Sequence, residues 1–325
     1  MGPDSWGSPI APELAEFLAW RKMAGLQSRV PERWLHQFDR YCADHHVTLT
    51  ALAPTVFSQF IDERALESIA TQQTRLRLLR QFAEYLRNRG IPVLGPTVPR
   101  HSFTYPHHQP YVYTERELQK LFTVIDTWDS PSHSHSNRTV VDPLLFRMVY
   151  GCGLRIMEAL RLRRSDVDLA SGVLHIQQGK NQKDRLVPMA DSLVERCRTY
   201  AHAMLSDTED TPFFPGLHGG GYDSSTIYRR FRQYLWTAGI SHSGHGPRVH
   251  DLRHAYCVHR LAHWVREDQD LTNLLPYLAV YLGHSDFRGT AYYLRLTAEL
   301  YPDLMDTLER VHGTIIPLVL REESQ

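Results

Sequence analysis

The sequence predicts a mainly α-helical (α+β) protein of two domains, with a small antiparallel sheet in the second. Three observations predict this class. Apolar residues recur every three to four positions over most of the chain. A stretch with five prolines interrupts that pattern between residues 91 and 112. Two short apolar runs flank a turn near residue 180, and the length of 325 residues suits two hydrophobic cores.

The first domain is predicted over residues 10–90 as a bundle of four helices. Its four amphipathic segments carry apolar residues on one helical face around Phe17, Phe38, Phe57 and Phe82. The fourth segment stops at Gly90 and is followed by Pro92, which is typical of a helix end. Four helices of this length are enough for a small bundle.

The other boundaries follow from composition and from helix signals. Residues 91–112 are predicted to form an extended proline-rich linker, residues 113–313 the second domain, and residues 314–325 a C-terminal tail. A capping box at Thr114–Glu117 predicts the first helix of the second domain. The apolar run from Leu144 to Arg161 has helical spacing over its whole length.

Net charge is informative only when it is counted by position. The chain has 36 basic and 36 acidic side chains, and a total of zero argues against a nucleic-acid partner. Residues 71–100 and 228–260, however, each hold six arginines against one carboxylate, whereas residues 261–325 hold five arginines against ten carboxylates. The neutral total is therefore a cancellation, and the two basic segments are candidates for phosphate contacts.

Composition excludes several other classes of protein. The content of 42% hydrophobic and 22% charged residues is typical of a soluble globular protein. The sequence has no apolar run near the roughly 18 residues of a membrane span, and it begins without a signal-peptide pattern. Its four cysteines form no C-x-x-C pair. We therefore expect a cytoplasmic protein without a disulfide framework or a cysteine zinc site.

Five fragments with chemically useful side chains follow one another in the second domain. They are Gly153-Leu154-Arg155 with Glu158, Lys180 in the hairpin between Val173–Ile176 and Arg185–Val187, His250-x-x-Arg253, Leu282-Gly283-His284, and Tyr292-Tyr293. Each has an ordinary structural explanation: Arg155 and Glu158 can form an ion pair on one helical face, and a lysine at a hairpin tip is usually solvated. The order and spacing of the set carry more weight than any fragment.

In this order the fragments resemble the catalytic signature of the tyrosine recombinases, the phage-integrase and Xer family. The resemblance covers residues 71–296, and Thr74–Gly90 is similar to the last helix of that family's DNA core-binding domain. It implies a four-helix (SAM-like) core-binding domain followed by a mostly helical catalytic domain with a three-stranded antiparallel sheet. Because the sequence starts with the core-binding helices, we do not expect the additional arm-binding domain of lambda-type integrases.

The resemblance also implies a role for each side chain in cleaving a phosphodiester without a metal or other cofactor. Tyr293 would attack the scissile phosphate and form a 3′-phosphotyrosyl link. Arg155 and Arg253 would bind the nonbridging oxygens, and Glu158 would orient Arg155.

The remaining implied catalytic residues handle protons and support the phosphate. Lys180 would protonate the departing 5′ oxygen. His250 would hydrogen-bond the phosphate and assist the proton of Tyr293, while His284 would support the phosphate.

The implied partner is double-stranded DNA that carries a recombination site. A homotetramer, or a heterotetramer with a related recombinase, would hold two such sites, with no role for a membrane. The residues expected to contact DNA are Arg75, Arg77, Arg80, Arg87, Lys183, Arg185, Arg229, Arg230, Arg232 and Arg248.

Several alternatives stay open from the sequence. Integration, excision or transposition of a mobile element is favoured, because the connection around Trp264–Leu275 is longer than in Xer members; Xer-type resolution of replicon multimers is the other role. Tyr292 is a rival nucleophile, and His254 is a rival of His250. The histidines between residues 250 and 263 also fit a metal-dependent hydrolase, and an inactive DNA-binding protein is the third class.

Overall fold

The computed structural model describes residues 6–26, 29–64, 66–96, 110–129, 137–177, 184–205, 211–216, 220–243, 246–284 and 288–301. The chain divides into two compact units, Met1–His107 and His108–Gln325, and this boundary falls within the predicted linker. Helices dominate both units, and a three-stranded antiparallel sheet lies in the second. The predicted fold class is therefore confirmed.

The described residues of the first unit form four α-helices, as predicted. They are α1 (Ala11–Met23), α2 (Arg29–Asp44), α3 (Pro54–Asp62) and α4 (Ile69–Asn88), with a short 3₁₀ turn at Leu49–Ala51. The four phenylalanines that identified the segments are all buried in one hydrophobic cluster. Ser68 caps α4 by accepting a hydrogen bond from the backbone N–H of Thr71.

The two ends of the predicted linker pack onto the units that they adjoin. Val93 is buried in the core of the first unit, and a Cβ at Gly95 would lie 3.1 Å from Cβ of Ala83. At the other end, Val112 packs against the core of the second unit next to the buried Tyr113. The remaining linker residues, 97–109, lie outside the described residues.

The second unit contains eight described helices around a small sheet. The helices are α5 (Glu115–Asp126), α6 (Arg138–Gly151), α7 (Ile156–Arg161), α8 (Asp191–Met204), α9 (Ser224–Thr237), α10 (Val249–Arg266), α11 (Leu271–Leu282) and α12 (Arg288–Leu300). The strands are β1 (Val167–Asp168), β2 (Val173–Ile176) and β3 (Arg185–Pro188), in the order β1-β2-β3. The predicted capping box is present at the start of α5, where Thr114 and Glu117 exchange hydrogen bonds.

The apolar run from Leu144 to Arg161 is not one continuous helix. It is divided between α6 and α7 by residues 152–155, and Gly153 in this break has a left-handed φ of +57°. The space around Gly153 is closed, since a Cβ there would lie 2.6 Å from Cδ1 of Tyr256. The break frees the carbonyl of Gly153 from the helix, and it places Arg155 at the N-cap of α7 rather than inside a helix.

A buried carboxylate attaches α9 to α6. Asp142 is fully buried on α6 and accepts hydrogen bonds from Nη1 of Arg230 (2.9 Å) and from the hydroxyl of Tyr234 (2.6 Å). Burial raises the pKa of Asp142, while the charge of Arg230 acts in the opposite direction. The pairing fixes the side of α9 that faces the core, so that the exposed Arg229 and Arg232 lie on its solvent side.

Candidate active site

Four elements of the second unit bring the predicted site residues into one cluster. Arg155 lies at the N-cap of α7, His250 and Arg253 in the first turns of α10, His284 directly after α11, and Tyr293 in α12. Lys180 lies outside the described residues. Each of the five described residues is joined to the others through the contacts given below.

Glu158 binds two arginines from different elements. Its carboxylate accepts from Arg155 Nη1 at 2.7 Å and from the Arg155 backbone N–H at 2.8 Å. It also forms a two-bond ion pair with Arg185 of β3, at 2.9 and 2.8 Å, and lies 3.8 Å from Nη1 of Arg253. Burial alone would raise the pKa of Glu158, but the bonds from Arg185 and then from Arg155 lower it to about 2.

Arg253 is the most enclosed of the site cations, with 1% of its surface exposed. Its Nη1 donates to the carbonyl of Gly153 at 2.6 Å, and its Nη2 donates to the carbonyl of Leu282 at 2.7 Å. Nη2 also lies 3.4 Å from Nε2 of His284. Burial lowers the pKa of Arg253, followed by repulsion from Arg155. Both of these shorter hydrogen bonds go to backbone oxygen atoms, which carry no formal charge.

Glycines set the position of His284. Gly283 ends α11 in the left-handed conformation, with φ of +66°, and so directs His284 back toward the cluster. Nδ1 of His284 lies 2.9 Å from the hydroxyl of the buried Thr290. A Cβ at Gly289 would lie 3.1 Å from the same Nδ1. When Nε2 accepts a hydrogen bond from Arg253, the ring hydrogen is on Nδ1, which donates a hydrogen bond to the hydroxyl of Thr290.

Tyr293 is enclosed by the cluster, with 3% of its surface exposed. Its ring centroid lies 5.5 Å from that of His254 and 6.0 Å from that of His284. Burial raises the pKa of Tyr293, and contact with the thiol of Cys257 raises it further, while the charge of Arg253 lowers it. The neighbouring Tyr292 has the guanidinium of Arg295 over its ring, 5.2 Å from the centroid. The geometry favours Tyr293 as the nucleophile, and the assignment stays a prediction.

The two rival histidines of α10 both belong to the cluster. The ring centroids of His250 and His254 are 4.7 Å apart, and the ring of His254 also packs against that of Tyr293. Burial and the charges of Arg253 and Arg155 lower the pKa of His250 to about 4. His250 is therefore a neutral imidazole at neutral pH, able both to donate and to accept a hydrogen bond.

The residues predicted to contact DNA separate into three groups. Six are exposed: Arg77, Arg80, Arg87, Arg229, Arg232 and Arg248. Lys183 lies outside the described residues. Three are committed to internal partners: Arg75 to Glu67 and Gln37, Arg185 to Glu158, and Arg230 to Asp142. A phosphate would have to displace these protein partners, so we leave Arg75, Arg185 and Arg230 out of the DNA contacts proposed below.

Three residues of the cluster were not assigned by the sequence to the roles that their contacts indicate. Arg185 was expected to contact DNA but pairs with Glu158. Thr290 carries no sequence signal, since a threonine six residues after a histidine is an ordinary pattern. Cys257 lies one turn after Arg253 on α10, and this helical spacing was the available signal.

The histidines of α10 do not converge on one point. The rings of His250 and His254 are in contact, and that of His254 packs against Tyr293, whereas Nδ1 of His259 lies 3.0 Å from the hydroxyl of Tyr150. Within the part of the chain that the structure describes, no three His, Cys, Asp or Glu side chains are grouped as metal ligands would be. Over those same residues, no helix is both long enough and apolar enough to cross a membrane.

Comparison with known proteins gives one family. The model of the phage integrase family matches residues 112–299 of this chain. A Sinorhizobium fredii protein named as an integrase/recombinase, y4rB, is 29% identical over 305 residues, which cover 91% of this chain and 95% of the relative. Tyrosine recombinase XerD of Proteus mirabilis is 29% identical over 235 residues, which cover 71% of this chain and 69% of XerD.

Solved structures show the same fold. The integrase of transposon Tn1549, solved in complex with transposon right-end DNA, superimposes with a TM-score of 0.63. The match covers 90% of this chain and 98% of the integrase, at 13% sequence identity.

Proposed function

This chain belongs to the phage integrase family and is a site-specific tyrosine recombinase, and from that premise we propose that it cuts duplex DNA through a covalent 3′-phosphotyrosyl link at Tyr293. One observation carries the proposal. Tyr293 lies against His254 and His284, and the same His284 contacts Arg253. Tyr293, the proposed phosphate-binding groups Arg253 and His284, and the adjacent pair His250 and His254 therefore lie in one small cluster.

The proposed cleavage exchanges one phosphodiester for another. The phenolic oxygen of Tyr293 attacks phosphorus, the new oxygen–phosphorus bond forms, and the bond to the 5′ oxygen breaks. The phenolic proton passes to His250 or to solvent, and the leaving 5′ oxygen takes a proton from Lys180. A 5′ hydroxyl from a partner strand then reverses these steps. Neither water nor a nucleotide is consumed, because the energy of the ester bond is kept in the phosphotyrosine.

Arg155 and Arg253 are the proposed ligands of the nonbridging phosphate oxygens. Guanidinium groups bind such oxygens in pairs, and they stabilise the charge that accumulates in the transition state. Arg253 is already oriented by the carbonyls of Gly153 and Leu282. Loss of either arginine should slow cleavage on the order of a hundred-fold or more.

The proposed nucleophile must be uncovered before it reacts. Tyr293 is almost fully buried, and burial raises its pKa. Its hydroxyl is therefore protonated at neutral pH and needs a proton acceptor in the transition state. His250 is the proposed acceptor, because its pKa of about 4 leaves the imidazole unprotonated at neutral pH, and it is linked to Tyr293 through the ring of His254.

DNA is the proposed partner of both units. The exposed arginines Arg77, Arg80 and Arg87 of the first unit, and Arg229, Arg232 and Arg248 of the second, are the proposed phosphate contacts. Binding through them should weaken steeply with salt, because each neutralised phosphate releases counterions. Four protomers on two sites is the proposed assembly, from the resemblance to the family.

Movement of a mobile element is the proposed biological role. It is supported by the relative named as an integrase/recombinase and by the expectation, from the sequence, that the stretch around Trp264–Leu275 is longer than in Xer members. Resolution of replicon multimers is the second candidate, favoured by the similarity to XerD. A gene that is flanked by repeats, and that is found with them on one replicon and absent from others, would support movement of a mobile element over resolution of replicon multimers.

A suicide substrate tests the chemistry. A nicked duplex that carries the recombination site loses a short fragment upon cleavage, which traps the covalent adduct for detection on a denaturing gel. The wild-type chain and Tyr292→Phe should form the adduct, and Tyr293→Phe should bind the duplex without forming it. An adduct in Tyr293→Phe would refute the assignment.

Two controls separate the other classes. Adduct formation in excess chelator distinguishes a recombinase from a metal-dependent hydrolase. Binding without any adduct at several sites would favour the inactive DNA-binding protein.

A further inference from the structure

We propose that Arg185 is a positioning residue for strand cleavage, which acts on the scissile phosphate through Glu158 and the two catalytic arginines. The inference rests on the proposed function and adds a residue to it. Arg185 was expected from the sequence to bind DNA. Its contacts assign it to the interior of the site.

The contacts of Arg185 join three elements. Its two terminal nitrogens pair with both oxygens of Glu158 on α7, at 2.9 and 2.8 Å. Its Nε donates to the carbonyl of Tyr281, in the last turn of α11, at 2.8 Å. Only 6% of the side chain is exposed. Each of the three nitrogens of this planar guanidinium has a protein partner, and the three bonds together fix its orientation.

The partners of Arg185 are also the supports of the catalytic arginines. Glu158 holds Arg155 through two hydrogen bonds and lies 3.8 Å from Arg253. The last turn of α11 presents two successive carbonyls: that of Tyr281 binds Arg185, and that of Leu282 binds Arg253. Arg185 therefore contacts both structures that orient the proposed phosphate ligands.

Close packing leaves this arrangement little freedom. A Cβ at Gly283 would lie 3.0 Å from Nη1 and 3.2 Å from Cδ of Arg185. The residue that turns the chain toward His284 is thus in direct contact with Arg185. Displacement of the guanidinium would change both the end of α11 and the position of Glu158.

Loss of Arg185 should change the protonation of Glu158. Burial favours the neutral form of this carboxyl, and Arg185 supplies the largest opposing contribution. Without Arg185 the pKa of Glu158 rises, and a protonated Glu158 gives up part of its capacity to accept bonds from Arg155. Arg155 would then lose its fixed orientation, with the effect increasing as the pH falls.

The experiment compares Arg185→Gln and Arg185→Lys with a matched control, Arg147→Gln. Arg147 has the same set of contacts elsewhere in the unit: a two-bond ion pair with Asp126 at 2.7 and 2.6 Å, and one bond to the carbonyl of Pro143 at 2.9 Å. The Lys variant keeps the charge but cannot reproduce the two parallel bonds. If circular dichroism shows that Arg185→Gln does not fold, Arg185→Lys is compared with the control instead.

Cleavage is measured as the single-turnover rate of adduct formation with the suicide substrate, next to the affinity for the same duplex. Both Arg185 variants should cleave about 10- to 100-fold more slowly than wild type, as is typical when a support of a site ligand is removed. Their affinity for DNA should stay within about two-fold, and the Arg147 variant should cleave at the wild-type rate. Lowering the pH from 8 to 5.5 should slow Arg185→Gln more than wild type.

A second substrate identifies the route of the effect. A methylphosphonate at the scissile position removes the negative charge that the arginines bind, so that the defect of the Arg185 variants should shrink. A double-mutant cycle with Glu158→Gln should show that the two losses are not additive.

Three results would overturn the inference. They are cleavage by both Arg185 variants as fast as by Arg147→Gln, an equal defect on the two substrates at every pH, and additive losses with Glu158→Gln. Unchanged cleavage by both variants would mean that Arg185 has no part in the reaction. An equal defect on the two substrates, or additive losses, would mean that Arg185 only stabilises the fold. Failure of the wild-type chain to form any adduct would instead contradict the proposed function, so the two proposals fail separately.

Discussion

Replacing Gly153 with alanine should be more damaging than the same change at Gly239. Both glycines have left-handed backbone, with φ of +57° and +69°, but only Gly153 is enclosed. A Cβ at Gly153 would lie 2.6 Å from Cδ1 of Tyr256 and 3.1 Å from Cδ2 of Leu282, whereas at Gly239 it would meet nothing within 4 Å. The two variants therefore share the cost of backbone conformation and differ in the cost of packing.

The structure gives the size of this difference. A left-handed conformation costs a side chain about 1–2 kcal/mol at either position. Overpacking against Tyr256 and Leu282 adds about 1–3 kcal/mol at Gly153 alone. Gly239→Ala should lower the free energy of unfolding by about 1–2 kcal/mol, and Gly153→Ala by about 2–5 kcal/mol. The extra loss corresponds to a Tm lower by about 2–12 °C for a unit of this size.

Urea denaturation followed by circular dichroism measures the loss of stability, and the suicide substrate measures the consequence for the site. Because the carbonyl of Gly153 binds Arg253, Gly153→Ala should also slow adduct formation at a temperature where it remains folded. Gly239→Ala should leave the rate unchanged. Equal effects of the two changes on both stability and rate would refute the reasoning.

Three further predictions concern buried polar groups. Asp142→Ala should lower the free energy of unfolding by about 3–5 kcal/mol, because it leaves the buried Arg230 without its carboxylate; a loss under about 1 kcal/mol in urea would contradict this. Glu158 has a pKa of about 2 in the fold against an ordinary 4.5, so its contribution to stability is complete above pH 4.5 and disappears as the pH falls toward 2. The difference in unfolding free energy between wild type and Glu158→Gln should therefore shrink from pH 5 to pH 3, and a constant difference would count against it. His250 has a pKa of about 4 against an ordinary 6.5, so protonation favours the unfolded chain, and His250→Asn should lose less stability than wild type between pH 6.5 and 4.

Much of the fold was predictable because local signals and tertiary packing agree. The four helices of the first unit and the capping box at Thr114 appear where the sequence placed them. The break between α6 and α7 was not predictable, since apolar spacing continues across it. The break is accompanied by a tertiary contact, the hydrogen bond from Arg253 to Gly153, which is 100 residues away in the chain.

The site shows a similar division. The described residues with predicted catalytic roles come together in space. Their order along the chain is the order of the elements that carry them. The sequence could not tell which arginines face solvent. Arg229 and Arg230 are neighbours, yet Arg229 is exposed and Arg230 binds Asp142. That distinction depends on where a buried carboxylate lies on another helix, and no local pattern records it.

The carbonyl groups at the end of α11 have a consequence for the electrical balance of the site. Arg155, Arg185 and Arg253 are fixed in place with Glu158 as their shared carboxylate, and the other anchors are neutral backbone oxygens of Tyr281, Leu282 and Gly153. Such oxygens orient a cation through their dipoles without cancelling its formal charge. Three cations against one anion leave an excess of two positive charges. Anchoring the same arginines with carboxylates would have given equally rigid side chains but a pocket that repels an anionic backbone.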